Sequence, residues 1–150
     1  MSTSESSPHL SSDEFRKYGY QLVDWLAEYF SGIDDMKVIP DVEPGEIRSM
    51  LPEQAPETAE DMEDIIADLD RVVMPGMAHW QHPGWFAFFP SGVSPVSVLG
   101  EFVAAGLATQ GMMWSTAPAA TEIENTVLDW LVELLGLPSS WRLDTGPGGG

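Results

Sequence analysis

Met74-Pro-Gly-Met-Ala-His-Trp-Gln-His-Pro-Gly-Trp-Phe-Ala-Phe-Phe-Pro-Ser91 packs the rings of Trp80, Trp85, Phe86, Phe88 and Phe89 into a segment that no helical period fits. Pro83 and Pro90 interrupt it, so an extended, buried loop or edge segment is expected. Aromatic rings read without context are most often core. Core rings, however, usually lie on periodic elements, and these lie in chain broken by proline and glycine, which suits the apolar wall of a ligand pocket. If the segment were a strand, Phe86, Phe88 and Pro90 would face one side and Ala87 and Phe89 the other. His79 and His82 are three apart, but the residues around them disfavour a helix and no third ligand stands near. No metal site is expected. A satisfied structural histidine, or a hydrogen-bonding role in a pocket, remains for each, while His9 lies in the tail.

On either side of this segment the chain turns helical. Thr58 with Asp61 forms a weak capping box, and Met62, Ile65, Ile66, Leu69, Val72 and Val73 make an apolar stripe that Pro75-Gly76 stops. The opposite face, with Glu60, Asp64 and Asp68, reads as solvated. After the aromatic segment, Ser94-Pro95 is an N-cap with proline at the first helical position. Val96, Leu99, Phe102, Val103 and Leu107 carry that helix to about residue 108. Gln110–Thr116 reads as a loop. Pro118 then opens a last helix, with Ile123, Val127, Trp130, Leu131, Leu134 and Leu135 on its apolar face and Gly136 and Pro138 at its end. Near the N-terminus, Ser11 and Glu14 make a capping box. Phe15, Tyr18, Leu22, Leu26, Tyr29 and Phe30 recur at helical spacing, and Gly32 stands where a C′ glycine would end the helix. Residues 33–45 are connector, and Glu46–Leu51 are read as a short helical turn. Residues 1–10 are read as a disordered tail. The inventory is mainly α, and its apolar stripes need something to pack on.

Composition bounds the function. The 150 residues contain no cysteine, and six Lys+Arg stand against 24 Asp+Glu, a formal net charge of −18. No disulfide, thiolate metal site or cysteine nucleophile is available. The acidity argues against nucleic acid and anionic membrane as partners. It is unevenly spread, with residues 1–70 carrying −14 and residues 71–150 carrying −4. No apolar run is long enough for a membrane helix and no secretory leader is evident, so a cytoplasmic protein is expected. Thr121, Glu122 and Glu124 suit the dipole of the last helix, and no acid–base carboxylate pair or Ser–His–Asp order is recognisable. Gly146-Pro-Gly-Gly-Gly150 reads as a linker, a turn, or the start of a phosphate-binding loop, with no Walker lysine after it.

Four motifs together carry a resemblance: Ile39-Pro-Asp-Val-Glu-Pro-Gly45, Met74 to Pro83, Phe86-Ala-Phe-Phe-Pro90, and Trp114-Ser-Thr-Ala-Pro-Ala-Ala-Thr-Glu-Ile-Glu124. In order and near-spacing they resemble the group II, pyridoxal-phosphate-dependent amino-acid decarboxylases of the aromatic-L-amino-acid type, from about Asp13 onward. The resemblance implies that the chain is a fragment, inactive alone, of a protein about three times as long. The whole would have an α/β, aspartate aminotransferase-like fold. Residues 11–91 would be the N-terminal helical segment, an arm packing on the partner of a homodimer. Residues 92–150 would begin the large cofactor domain and stop in the glycine-rich loop. The cofactor implied is pyridoxal 5′-phosphate, held as a Schiff base on a lysine. The resemblance places that lysine, and an aspartate that pairs with the pyridine nitrogen, far beyond residue 150, and Lys17 and Lys37 match neither position.

The resemblance places Trp80, Phe88, Phe89, Pro90, Gln110 and Met112 around the substrate and Ser91 at the cofactor. Ser91 keeps a hydroxyl where threonine is usual. Phe88 replaces a common tyrosine and loses its phenol. Gln110 and Met112 stand where Ile and Phe are frequent, on a loop that reaches into the neighbouring subunit's site. The implied reaction is loss of carbon dioxide from an aromatic L-amino acid to give the amine. A related decarboxylase acting on another amino acid such as histidine, and a non-catalytic helical dimerisation module, are the alternatives.

Overall fold

The computed structural model describes residues 9–89, 92–143 and 145. Residues 1–8 of the expected tail, Pro90, Ser91 and the glycine run at 146–150 lie outside them. The described residues form helices and loops without a strand, so the chain is mainly α. It divides into two units, Met1–Gly92 and Val93–Gly150.

In the first unit, α1 spans Ser12–Gly32. Its capping box forms as the sequence predicts: Ser11 Oγ accepts from the Glu14 amide at 3.3 Å, and Glu14 Oε2 accepts from the Ser11 amide at 2.8 Å. Hydrogen bonds from Ser11 hold the Glu14 carboxyl below its ordinary value. The far end departs from expectation. Gly32 keeps φ −99°, outside the left-handed region, and the chain runs on into a 3₁₀ turn, Ile33–Asp35, which buries Ile33. Burial of that apolar side chain takes the place of a glycine stop.

A short α2, Glu46–Ser49, interrupts the connector. Helix α3, Met62–Asp68, starts at Asp61 without a side-chain cap, so the Thr58–Asp61 box does not form. Beyond it, Leu69–Val73 widen into a π turn and Met74–Gly76 tighten into a 3₁₀ turn. Pro75 has no amide to continue a regular ladder, and the helical path loosens just before it. α1 meets α3 and the π turn after it through polar side chains, beside the buried Tyr18. Tyr18 Oη donates to Glu63 Oε2 at 2.7 Å, Lys17 pairs with Glu63, and Trp25 Nε1 donates to Asp70 Oδ1 at 2.9 Å. Acidic side chains of this stretch therefore do more than face solvent, since Glu63 and Asp70 tie it to α1.

In the second unit, α4 spans Pro95–Gly106 behind a reciprocal Ser94/Ser97 cap, and α5 spans Pro118–Leu134 with its proline at the first position. α5 ends as expected. Gly136 takes φ +65°, the Leu137 amide donates to the Val132 carbonyl at 2.9 Å, and the Gly136 amide donates to the Glu133 carbonyl at 3.1 Å. That is a Schellman closure. The chain then folds back along α5, where Arg142 pairs with Glu133 and the Leu143 amide donates to Asp129 Oδ1 at 3.0 Å. The apolar stripes of α4 (Val96, Leu99, Phe102, Val103) and α5 (Ile123, Trp130, Leu134) stay exposed.

Candidate functional site

The aromatic segment is neither buried nor a strand. Turns shape residues 80–84, and Phe86 and Phe89 are 94% and 101% exposed. Phe88 has φ +58°, a left-handed conformation costly for a bulky residue, which breaks any extended alternation. Its ring lies 5.8 Å from that of Trp80, 19° from parallel, and Trp80 stacks on Trp85 at 4.8 Å. Phe88 and Trp85 close the group at 6.4 Å. Strain at Phe88 thus accompanies a three-ring stack, and left-handed residues of this kind gather at ligand sites.

Two histidines hold the segment against the end of α1 and the turn beyond it. His79 is the sole buried polar residue among those described, 6% exposed, and its Nδ1 shares a hydrogen bond with Tyr29 Oη at 3.0 Å. Burial pushes the Tyr29 phenol up, so it keeps the proton it shares. The His79 amide donates to the Val38 carbonyl at 3.0 Å. His82 Nδ1 accepts from the Gly84 amide at 2.8 Å, which leaves the ring proton on Nε2, facing the Asp34 carbonyl at 3.3 Å. A Cβ on Gly84 would stand 3.0 Å from His82 Nδ1, so a larger residue there would push the imidazole back by a few tenths of an ångström. Both imidazoles have hydrogen-bond partners within the first unit, and among the described residues no group of three or more metal-ligating side chains includes either.

Of the residues assigned from sequence, Trp80 and Phe88 come together. Phe89 lies apart from the stack, and Pro90 and Ser91 are outside the described residues. Gln110 and Met112 belong to the second unit. The Thr116 hydroxyl donates to the Gln110 carbonyl at 2.9 Å, and Met112 is 84% exposed. Trp114 Nε1 donates to Glu122 Oε1 at 2.9 Å, which ties that loop to α5. Trp85 is visible in the sequence as part of the ring cluster, yet nothing local assigns it a place in a stack. Tyr29 gives no signal, because its partner lies 50 residues away and its helical spacing already accounts for it.

Residues 44–150 match the pyridoxal-dependent decarboxylase conserved domain. The chain is 46% identical over 150 residues to L-tyrosine/L-DOPA decarboxylase 2 of Lophophora williamsii, covering 97% of this chain and 28% of that protein. It is 41% identical over 141 residues to phenylacetaldehyde synthase of Arabidopsis thaliana, covering 94% of this chain and 29% of that one. Among solved structures it resembles the tryptophan decarboxylase of Catharanthus roseus in complex with L-tryptophan, with a TM-score of 0.87 and 40% identity over 96% of this chain and 31% of that chain. The chain thus spans under a third of the length of these relatives.

Proposed function

The chain belongs to the pyridoxal-dependent decarboxylase family, and from that membership we propose that it is the N-terminal part of a carboxy-lyase that removes carbon dioxide from an aromatic L-amino acid to give the amine. The observation that carries this reading is the Trp80–Trp85–Phe88 stack, set inside the residues that match the family domain. The ring faces that the stack leaves exposed, on Trp80 and Phe88, suit a flat aromatic side chain laid against them.

When bound, pyridoxal 5′-phosphate would supply the sink for the electron pair that the α-carbon keeps as carbon dioxide leaves. The lysine that carries it must lose its proton to react, and this chain's lysines are unsuited. Lys17 pairs with Glu63, which pushes its amine up, and Lys37 pairs with Asp41 at 3.2 Å. What this chain contributes is therefore pocket wall. Trp80, Phe88, Phe89, Pro90, Gln110 and Met112 contact the substrate and the Ser91 hydroxyl contacts the cofactor. Residues 11–91 form the arm of a homodimer, and residues 92–150 enter the large domain of an aspartate aminotransferase-like fold. No helix among the described residues is long and apolar enough to cross a membrane, and a cytoplasmic location accompanies this reading.

The test is expression of the complete reading frame, with the absorbance of bound cofactor and product formation from phenylalanine, tyrosine, tryptophan and DOPA as readouts. Amine and carbon dioxide in equal amounts are expected. Aldehyde in place of amine would move the protein toward the synthases it also resembles. A full-length protein that binds no pyridoxal phosphate overturns the reading.

A further inference from the structure

His79 and Trp80 are adjacent and diverge: the imidazole is 6% exposed, while the indole that heads the ring stack is 45% exposed. Whatever fixes the His79 backbone therefore fixes the base of Trp80. Three bonds do so. The Tyr29 hydroxyl meets Nδ1 at 3.0 Å, the Val38 carbonyl takes the His79 amide at 3.0 Å, and the His79 carbonyl takes the His82 amide at 3.0 Å. Tyr29 is itself held from behind, its ring stacked 4° from parallel on Trp25, whose indole N–H is bound by Asp70. A continuous line of contacts runs from Asp70 through Trp25, Tyr29 and His79 to Trp80.

We propose that Tyr29 and His79 are positioning residues for the substrate wall, the hydrogen bond between them setting the angle at which Trp80 meets Trp85 and Phe88 and so the fit of the aromatic substrate. The proposal rests on the decarboxylase reading and extends it to two residues that touch neither substrate nor cofactor. It also makes α1 a determinant of substrate fit through one polar contact.

The experiment uses the full-length holoenzyme. Tyr29→Phe removes the hydroxyl and keeps the ring. His79→Asn keeps a polar atom near the Nδ1 position, and His79→Leu removes it. Each variant is measured after titrating active sites by bound cofactor. Loss of one such bond is expected to raise KM about fivefold for aromatic amino acids in Tyr29→Phe and His79→Leu. kcat should stay near wild type, and His79→Asn should recover most of the loss. In a Trp80→Phe background the Tyr29→Phe effect should largely vanish, because its means of action is gone. A merely structural bond would lower the melting temperature and the yield of active sites while leaving KM alone, and that result overturns the proposal. Should His79→Leu fail to fold, Tyr29→Phe decides. A wild-type enzyme that binds no cofactor refutes the function itself, whereas an active enzyme with unchanged KM in Tyr29→Phe refutes only the positioning role.

Discussion

Glu63 ties the stability of the arm to pH through a single side chain. The Lys17 ammonium and the Tyr18 hydroxyl bind its carboxylate and lower it from 4.5 to about 2. A carboxyl depressed on folding adds stability above its ordinary value, and that stability is lost as pH falls toward the folded value. The denaturation midpoint of wild type should therefore exceed that of Glu63→Gln by a constant margin above pH 4.5 and converge on it as pH approaches about 2. A margin independent of pH would show that the carboxylate's charge is not what binds α1 to α3. The pair is half exposed, so the margin should also shrink with added salt. None of this is legible in the sequence. Lys17 and Glu63 lie 46 residues apart, and a helical pattern says which face is polar without saying what that face meets.

Helix ends divide by the range of the interactions that set them. Ser11/Glu14, Ser94-Pro95, Pro118 and Gly136 act through groups within a few residues, so local sequence suffices to place them. Gly32 departs from the local pattern because the adjoining chain packs, with Ile33 burying its side chain. Thr58 cannot cap α3 because the helix begins beyond its reach, at Met62 behind Asp61. Gly136 offers a clean test, since its φ is +65° and a Cβ there would meet nothing within 4 Å. Gly136→Ala should cost about 1–2 kcal/mol by urea denaturation, from backbone strain alone. Gly100, inside α4 and equally open, should behave oppositely, with Gly100→Ala gaining up to about 1 kcal/mol. If Gly136→Ala leaves stability unchanged or raises it as Gly100→Ala should, the left-handed closure of α5 is not what Gly136 provides.

For the molecule as a whole, a net charge of −18 on 150 residues sets self-repulsion against few buried apolar side chains among the described residues, Tyr18, Ile33 and Val72 in the first unit and Val132 in the second. Salt shortens the reach of that repulsion, from about 30 Å at 0.01 M to about 8 Å at 0.15 M. The melting temperature should rise across this range, and sodium and potassium chloride should act alike. A fall would mean that the surface ion pairs, such as Arg16–Asp13, Lys17–Glu63 and Arg71–Asp68, outweigh the repulsion. The exposed stripes of α4 and α5 belong to the same scale. Apolar faces of this extent are suited to cover by further protein, in keeping with relatives more than three times as long.

Near-neighbour chemistry is enough to establish the helices, most of their caps, the loop that carries the rings, and the family, because each of these depends on residues close together or on motifs in fixed order. Only folding in three dimensions turns Phe88 back on Trp80 while Phe86 and Phe89 stay open, and brings Tyr29 to His79 across 50 residues. Those contacts depend on where two distant backbones come to rest, and short-range pattern carries no record of that separation.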